Sequence, residues 1–204
     1  MTGLAERRVP AKVDVMTAIR TRRSIRKYTG EPLDEQSLRA ILDAGFCAPS
    51  ASNRRPWHFM VVRDSALLES IAGAHPYARM MPAAGCCIIV CGDQTIQGRI
   101  GLLVEDCSAA IQNMLLAAHG LGLGAVWCGL YIGEDLRPAL PEGPQAARPG
   151  ITRELSVEFA ELLGLPSDIV PVGMIAVGHA DESKAGTDRF DESRVHYESW
   201  SAPK

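Results

Sequence analysis

The stretch Arg20-Thr21-Arg22-Arg23-Ser24-Ile25-Arg26-Lys27 carries five cations in eight residues, within a chain of 204 residues whose formal net charge is −3. Charges this dense repel one another, so a folded domain keeps them only where an anion neutralises them or water solvates them. Ser24 adds a hydroxyl donor, and the planar forks of the arginines match phosphate geometry. The segment reads as a phosphate site for a bound small molecule, with a solvated basic turn after a helix as the alternative. Upstream, Val13, Met16 and Ile19 recur at helical spacing behind Asp14, so a helix runs into the basic segment. Downstream, Gly30 and Pro32 break the chain. Asp34 then suits the N-cap of a second helix, with Leu38, Ile41 and Leu42 as its buried stripe and an end near Gly45.

Working further outward, Ala48-Pro49-Ser50-Ala51-Ser52-Asn53 is a loop, Trp57 to Val62 a strand, and Ser65 to Ala72 a short helix. Cys86 to Cys91 is apolar at nearly every position, the mark of a strand central in its sheet. A long helix covers about Leu102 to His119. Ala109, Ala110, Met114, Leu115 and Ala117 make it apolar over most of its circumference, so it must be buried. Gly120, Gly122 and Gly124 close it, and Ala125 to Tyr131 is extended. Gly133 to Gly150 is a Pro/Gly-rich loop. A helix from Arg153 to Leu163, a strand from Val172 to Gly178 and a polar tail follow. With no repeat or linker, this pattern implies a single α+β domain over residues 13–204, behind an N-terminal extension of residues 1–12.

Composition narrows the class. Hydrophobic residues make up 47% and charged residues 22%, ordinary for a globular fold. The pI near 6.0 lacks the wide basic footprint of a nucleic-acid binder. No apolar run approaches the roughly 20 residues of a membrane span, and the first ten residues hold no signal-like apolar core, so a cytoplasmic location is expected. The six cysteines form no Cys-x-x-Cys pair and read as buried free thiols. The five histidines are dispersed without triad or metal spacing. Glu105 and Asp106 are adjacent on a helix, so they point in different directions and do not form a carboxylate pair.

Four motifs in order resemble the nitroreductase family of FMN-dependent NAD(P)H oxidoreductases. They are Arg22-Arg23-Ser24-Ile25-Arg26; Ala48 to Asn53 with Pro56-Trp57 behind it; Leu121-Gly122-Leu123-Gly124-Ala125-Val126-Trp127; and Asp188-Arg189-Phe190-Asp191-Glu192. The resemblance spans Val13 to Trp200. It implies a small, mostly antiparallel central sheet surrounded by helices, in an interlocked homodimer with FMN at the subunit interface. It places Arg22, Arg23, Ser24 and Arg26 on the FMN phosphate, with Arg189 reaching it from the C-terminal side. Pro49, Ser50, Ala51, Ser52 and Asn53 would come from the other subunit to the isoalloxazine ring and ribityl chain. Trp127, Cys128, Gly129 and Leu130 would lie against the ring, where a backbone N–H faces N5, and Arg79 would put a cation near its N1/O2 edge.

The function so implied is hydride transfer from NADH or NADPH through flavin N5 to an electron-poor small molecule, such as a nitroaromatic, quinone or enone. The long apolar helix adds its own argument for a dimer, since it offers more apolar surface than one modest domain covers. The chain lacks a Gly-x-Gly-x-x-Gly turn for a dinucleotide, so both substrates would share one pocket in ping-pong turnover. The alternatives are a specialised flavin enzyme of the same fold, a flavin-binding protein that stores or senses without turnover, and a phosphate-binding regulatory module. Two departures from the family pattern stand out: Arg55, where Gln often precedes the Pro-Trp pair, and a long stretch from Leu136 to Thr152.

Overall fold

Aspartates start three of the helices in the computed structural model, which describes residues 13–131 and 153–200. Asp14, Asp34 and Asp64 accept from the backbone N–H groups of Thr17, Ser37 and Leu67 at 3.1, 2.9 and 2.9 Å. Each satisfies an otherwise orphaned donor, worth about 1 kcal/mol per helix. They open α1 (Val15–Thr21), α2 (Glu35–Phe46) and α3 (Ser65–Ala74). The long helix α4 runs Ile100–Gly120, and α5 runs Arg153–Leu162.

Four strands form the sheet: β1 (Trp57–Val62), β2 (Cys86–Asp93), β3 (Gly124–Gly129) and β4 (Ile169–Gly178). Their order is β1-β2-β4-β3, and every pairing is antiparallel. β2 is buried at every position but its last, as its unbroken apolar run predicts. The register of β2 against β4 slips between Val90 and Cys91, leaving Val172 as an extra residue beside Pro171. A bulge is where proline is tolerated in an interior strand, because no ladder donor is missed there.

Helices cover both faces. α2 and α4 pack on one through Leu38, Ile41, Leu103, Ile111 and Met114, and α3 and α5 pack on the other through Leu68, Ile71 and Phe159. Burying each such side chain stabilises by about 1.5–3 kcal/mol. Among the described residues α4 is the helix whose length and composition would suit a membrane, yet its buried face lies on the sheet and α2.

One face of α4 is buried in this chain, while Leu102, Val104, Ala109, Leu116 and Ala117 are only partly covered. Leu103, Cys107, Ala110, Ile111, Met114, Leu115 and Ala118 of α4 are buried within this single chain. Exposed large apolar side chains include Ile100 at the start of α4, Val15, Met16 and Ile19 on α1, Phe46 at the end of α2, and Phe190, Tyr197 and Trp200 near the C-terminus. The helical spacing in α1 is real, but its stripe faces outward: Val15 is 71% exposed and only Ala18 turns inward. The expected N-terminal extension and the stretch from 136 to 152 lie outside the described residues.

Candidate active site

The basic segment follows α1 and lies along the open edge of β3. Ser24 bridges Ala125 in parallel, and the Ile25 N–H donates to the Ala125 carbonyl at 3.1 Å. A second segment, His179 to Thr187, is laced to it. The Thr29 and Asp181 N–H groups donate to the His179 and Lys27 carbonyls. The Arg26 N–H donates to Glu182 Oε1 at 2.5 Å, and Lys184 Nζ donates to the Ser24 carbonyl at 2.6 Å while pairing with Glu182 at 3.0 Å. The Arg26 amide, with Lys184, holds the Glu182 carboxyl below its ordinary range. Neither residue was singled out from sequence, since their partners lie some 160 positions away.

This lacing separates the clustered arginines by task. Arg23 donates from Nε to the Ala185 carbonyl (3.0 Å), from Nη1 to the Arg20 and Arg22 carbonyls (2.9 and 2.7 Å), and from Nη2 to Thr187 Oγ1 (3.4 Å). Its fork therefore closes the chain on itself. Arg22 is half-buried beside Arg189. Burial first, then the charges of Arg189 and Arg23, push its guanidinium pKa down. Among the described residues no carboxylate pairs with Arg22 or Arg189. Like charges near one another with no carboxylate partner among the described residues suit a phosphate, whose negative charge would offset the repulsion. His119 buttresses this corner. The Thr21 hydroxyl donates to the Thr17 carbonyl (2.7 Å), so it accepts from His119 Nε2–H at 2.7 Å. Burial and the Arg22 and Arg23 charges keep that imidazole neutral by lowering its pKa.

Arg26 points elsewhere. With Arg79, His75, Tyr77, Met80, Trp127, Cys128 and Gly129 it lines a cavity of about 580 Å³ around the far end of β3. Strand alternation decides which backbone groups face it. The Ala125 carbonyl accepts from Ile25 and the Gly129 carbonyl meets His75 Nε2 at 3.0 Å, so the odd residues of β3 turn their peptide groups to the open edge. The Gly129 N–H faces the same way. Leu130 does not: its side chain is buried and its N–H donates to the Val172 carbonyl at 3.0 Å, inside the sheet. Of the four residues expected against the ring, Trp127, Cys128 and Gly129 line the cavity and Leu130 supports them from behind. The Cys128 thiol is pushed up to about 11 by burial, so it is a protonated wall and no nucleophile.

Two further residues shape this cavity. His75 is 1% exposed, and its Nδ1 accepts the Tyr77 N–H at 3.1 Å. That assigns the proton to Nε2, which donates to Gly129. A single neutral ring thus ties the 75–77 turn to the end of β3, and burial lowers its pKa accordingly. Gly173 is required by Trp127, because a Cβ there would sit 2.4 Å from the indole Nε1.

The loop Pro49 to Asn53 lies apart from that cavity and ends in a 3-10 turn, Ala51–Asn53. Ser50 Oγ accepts from the Arg55 N–H at 2.9 Å, so this hydroxyl braces the turn. Ser52, Asn53 and Arg55 all have φ of 53°, a region that favours glycine, and their side chains are exposed. Backbone strain of about 1–3 kcal/mol per residue is the kind that accumulates at functional sites. Arg54 Nη1 donates to the Ile96 carbonyl at 2.9 Å, and Asp106 accepts the Ala51 N–H.

The nitroreductase family model matches residues 19–85 and 74–179, and the chain belongs to that family. It is 44% identical over 190 residues to a Methanothermobacter thermautotrophicus protein named as a candidate NADH dehydrogenase/NAD(P)H nitroreductase, covering 93% of this chain and 90% of that one. An FMN reductase [NAD(P)H] of Bacillus subtilis is 26% identical over 188 residues, covering 91% of this chain and 73% of its own. Among solved structures, a candidate nitroreductase from Desulfovibrio desulfuricans in complex with FMN superposes with a TM-score of 0.73 at 31% identity, covering 94% of this chain and 100% of that one.

Proposed function

We propose that this protein is an FMN-dependent NAD(P)H oxidoreductase, a homodimer that passes a hydride from NADH or NADPH to an electron-poor small molecule in ping-pong turnover. One observation carries the reading: the basic segment bridges the edge of β3 at Ser24–Ala125, with half-buried Arg22 just before that bridge, and the far end of the same strand opens on a 580 Å³ cavity lined by Arg26, Arg79, Trp127 and Gly129. A charged phosphate end and a flat, partly aromatic end with backbone donors are what FMN needs. Bound there, FMN supplies hydride uptake and release at N5, chemistry that no side chain of this chain performs.

The residues bind and orient. Arg22, Ser24 and Arg189 hold the phosphate, and Arg23 and Lys184 fix the main chain that carries Ser24. Arg26 and Arg79 set positive charge along the cavity. His75 holds the Gly129 carbonyl, so the Gly129 N–H keeps its aim at the cavity as solvent is displaced. The loop Pro49–Asn53 does not line its own chain's cavity, as suits a segment that completes the site of a second subunit. The exposed stripe of α1, Phe46 and the C-terminal aromatics supply apolar surface for that assembly. Size measurement in solution tests it: a monomer that still holds one FMN per chain would refute the dimer.

Steady-state oxidation of NAD(P)H tests the mechanism. Double-reciprocal plots at several concentrations of a quinone or nitroaromatic should give parallel lines, because donor and acceptor use one cavity in turn. Intersecting lines would overturn the one-pocket scheme.

A further inference from the structure

Asp106 lies on α4 in register with Leu103, Cys107, Ala110, Ile111 and Met114, the stripe that packs on the sheet and α2. It is 5% exposed. Its Oδ1 accepts the Ala51 N–H at 2.7 Å, while its Oδ2 is buried without a hydrogen-bond partner among the described residues. A carboxylate with one oxygen stripped of water and unpartnered is unfavourable for the fold, and an apolar side chain of similar volume would suit this stripe better. What the carboxylate does secure is the turn above it. Three of the residues from 52 to 55 are held at φ of 53°, and the Ala51 amide is where the turn is tied to the helix core.

We infer that Asp106 is a positioning residue: through the Ala51 amide it holds the 50–55 turn in its left-handed conformation, so that Ser52 and Asn53 are already arranged for the flavin of the partner subunit. This rests on the reading that the loop completes that subunit's site. Asp106 acts on affinity by raising the population of the competent turn, since apparent Kd scales inversely with that population.

Two variants remove the bond from opposite ends. Asp106→Leu removes the acceptor and gives the stripe an apolar residue. Ala51→Pro removes the donor, and the backbone accommodates it: Ser50 has φ −143° and ψ 153°, which a residue before proline favours, and position 51 opens the turn, where proline is well placed. Asp106→Asn keeps an acceptor oxygen. In the dimer, FMN Kd should rise about tenfold for Asp106→Leu and for Ala51→Pro, stay within about threefold for Asp106→Asn, and be no worse in the Leu/Pro double variant than in the weaker single one. The Ala51 amide should lose its protection from hydrogen exchange in Asp106→Leu and keep it in Asp106→Asn, with the unfolding temperature of Asp106→Leu unchanged or raised. Unchanged FMN affinity, a protected Ala51 amide in Asp106→Leu, additive losses in the double variant, or an Asn variant as weak as Leu would each overturn the assignment. Wild-type protein that binds no FMN would instead overturn the flavin reading, and the exchange of the Ala51 amide would still decide the clamp.

Discussion

Replacing Arg22 by alanine is expected to weaken FMN binding strongly while leaving the FMN-free protein as stable as before. The reasoning starts from the company Arg22 keeps. Its guanidinium is half-buried, and the nearby charges of Arg189 and Arg23 disfavour its charged form. In the empty protein its removal deletes a repulsion and no ion pair of the described residues. In the loaded protein it deletes charge-assisted hydrogen bonds to phosphate, worth about 1.5–3 kcal/mol, hence a loss of roughly 10- to 150-fold in Kd. Arg189→Ala should behave alike. Arg23→Ala should behave oppositely in the empty protein: it loses donors to Ala185, Arg20, Arg22 and Thr187, and at about 1 kcal/mol per bond the unfolding temperature should drop by several degrees. Fluorescence titration of FMN and calorimetry of the FMN-free proteins separate the two signatures. The reasoning fails if Arg22→Ala and Arg189→Ala bind FMN like wild type, or if Arg23→Ala leaves the empty protein as stable as Arg22→Ala does.

Three other outcomes follow from the same geometry. His75 and His119 both have lowered pKa values, so between those values and about 6.5 the unfolded chain binds more protons than the native one. Their neutral-state stability is complete above about pH 6.5 and is lost as the pH falls below it, with a slope of at most about 1.4 kcal/mol per pH unit for each ring; denaturant titrations should find His75→Gln weaker at pH 8 but less steeply acid-sensitive, and an equal slope would contradict this. Gly173→Ala pushes a Cβ into the Trp127 indole, which should shift tryptophan emission and destabilise by about 1–3 kcal/mol; an unchanged spectrum and melting curve would count against the packing described. Of the six cysteines only Cys47 is exposed, and burial raises the thiols of Cys86 and Cys128 to about 11 and those of Cys91 and Cys107 to about 12, so iodoacetamide at pH 7.5 should label one thiol per native chain quickly. Fast labelling at Cys128 would show the cavity wall to be more open than this.

What could be read from sequence was what depends on near neighbours. The caps at Asp14 and Asp34 act over three residues, and the apolar run of β2 records burial on both faces, so those elements stood close to where they were expected. The strand order β1-β2-β4-β3 has no such local trace. The basic segment stands out in the sequence, but which of its arginines the chain itself engages depends on Ala185 and Thr187, about 160 residues further on. Arg23 therefore looked equivalent to Arg22. The exposed side of α1 was illegible for a related reason: spacing shows that Val13, Met16 and Ile19 share a face, and only packing shows what that face meets. Asp106 is the instructive miss. Beside Glu105 it was read only as half of an unformed carboxylate pair, whereas its spacing from Leu103 and Ala110 already put it in the apolar stripe of α4. A charge in that register was the signal.

The account stands on flavin held by this chain and reduced by a nicotinamide in the same cavity. Anaerobic titration of the purified protein with NADH and with NADPH, followed by its visible spectrum, tests this most directly. One FMN per chain should be present, its oxidised bands should bleach with one equivalent of at least one nicotinamide, and a quinone added afterwards should restore them. Protein without flavin bands after incubation with FMN, or bound flavin that neither nicotinamide bleaches, would contradict it.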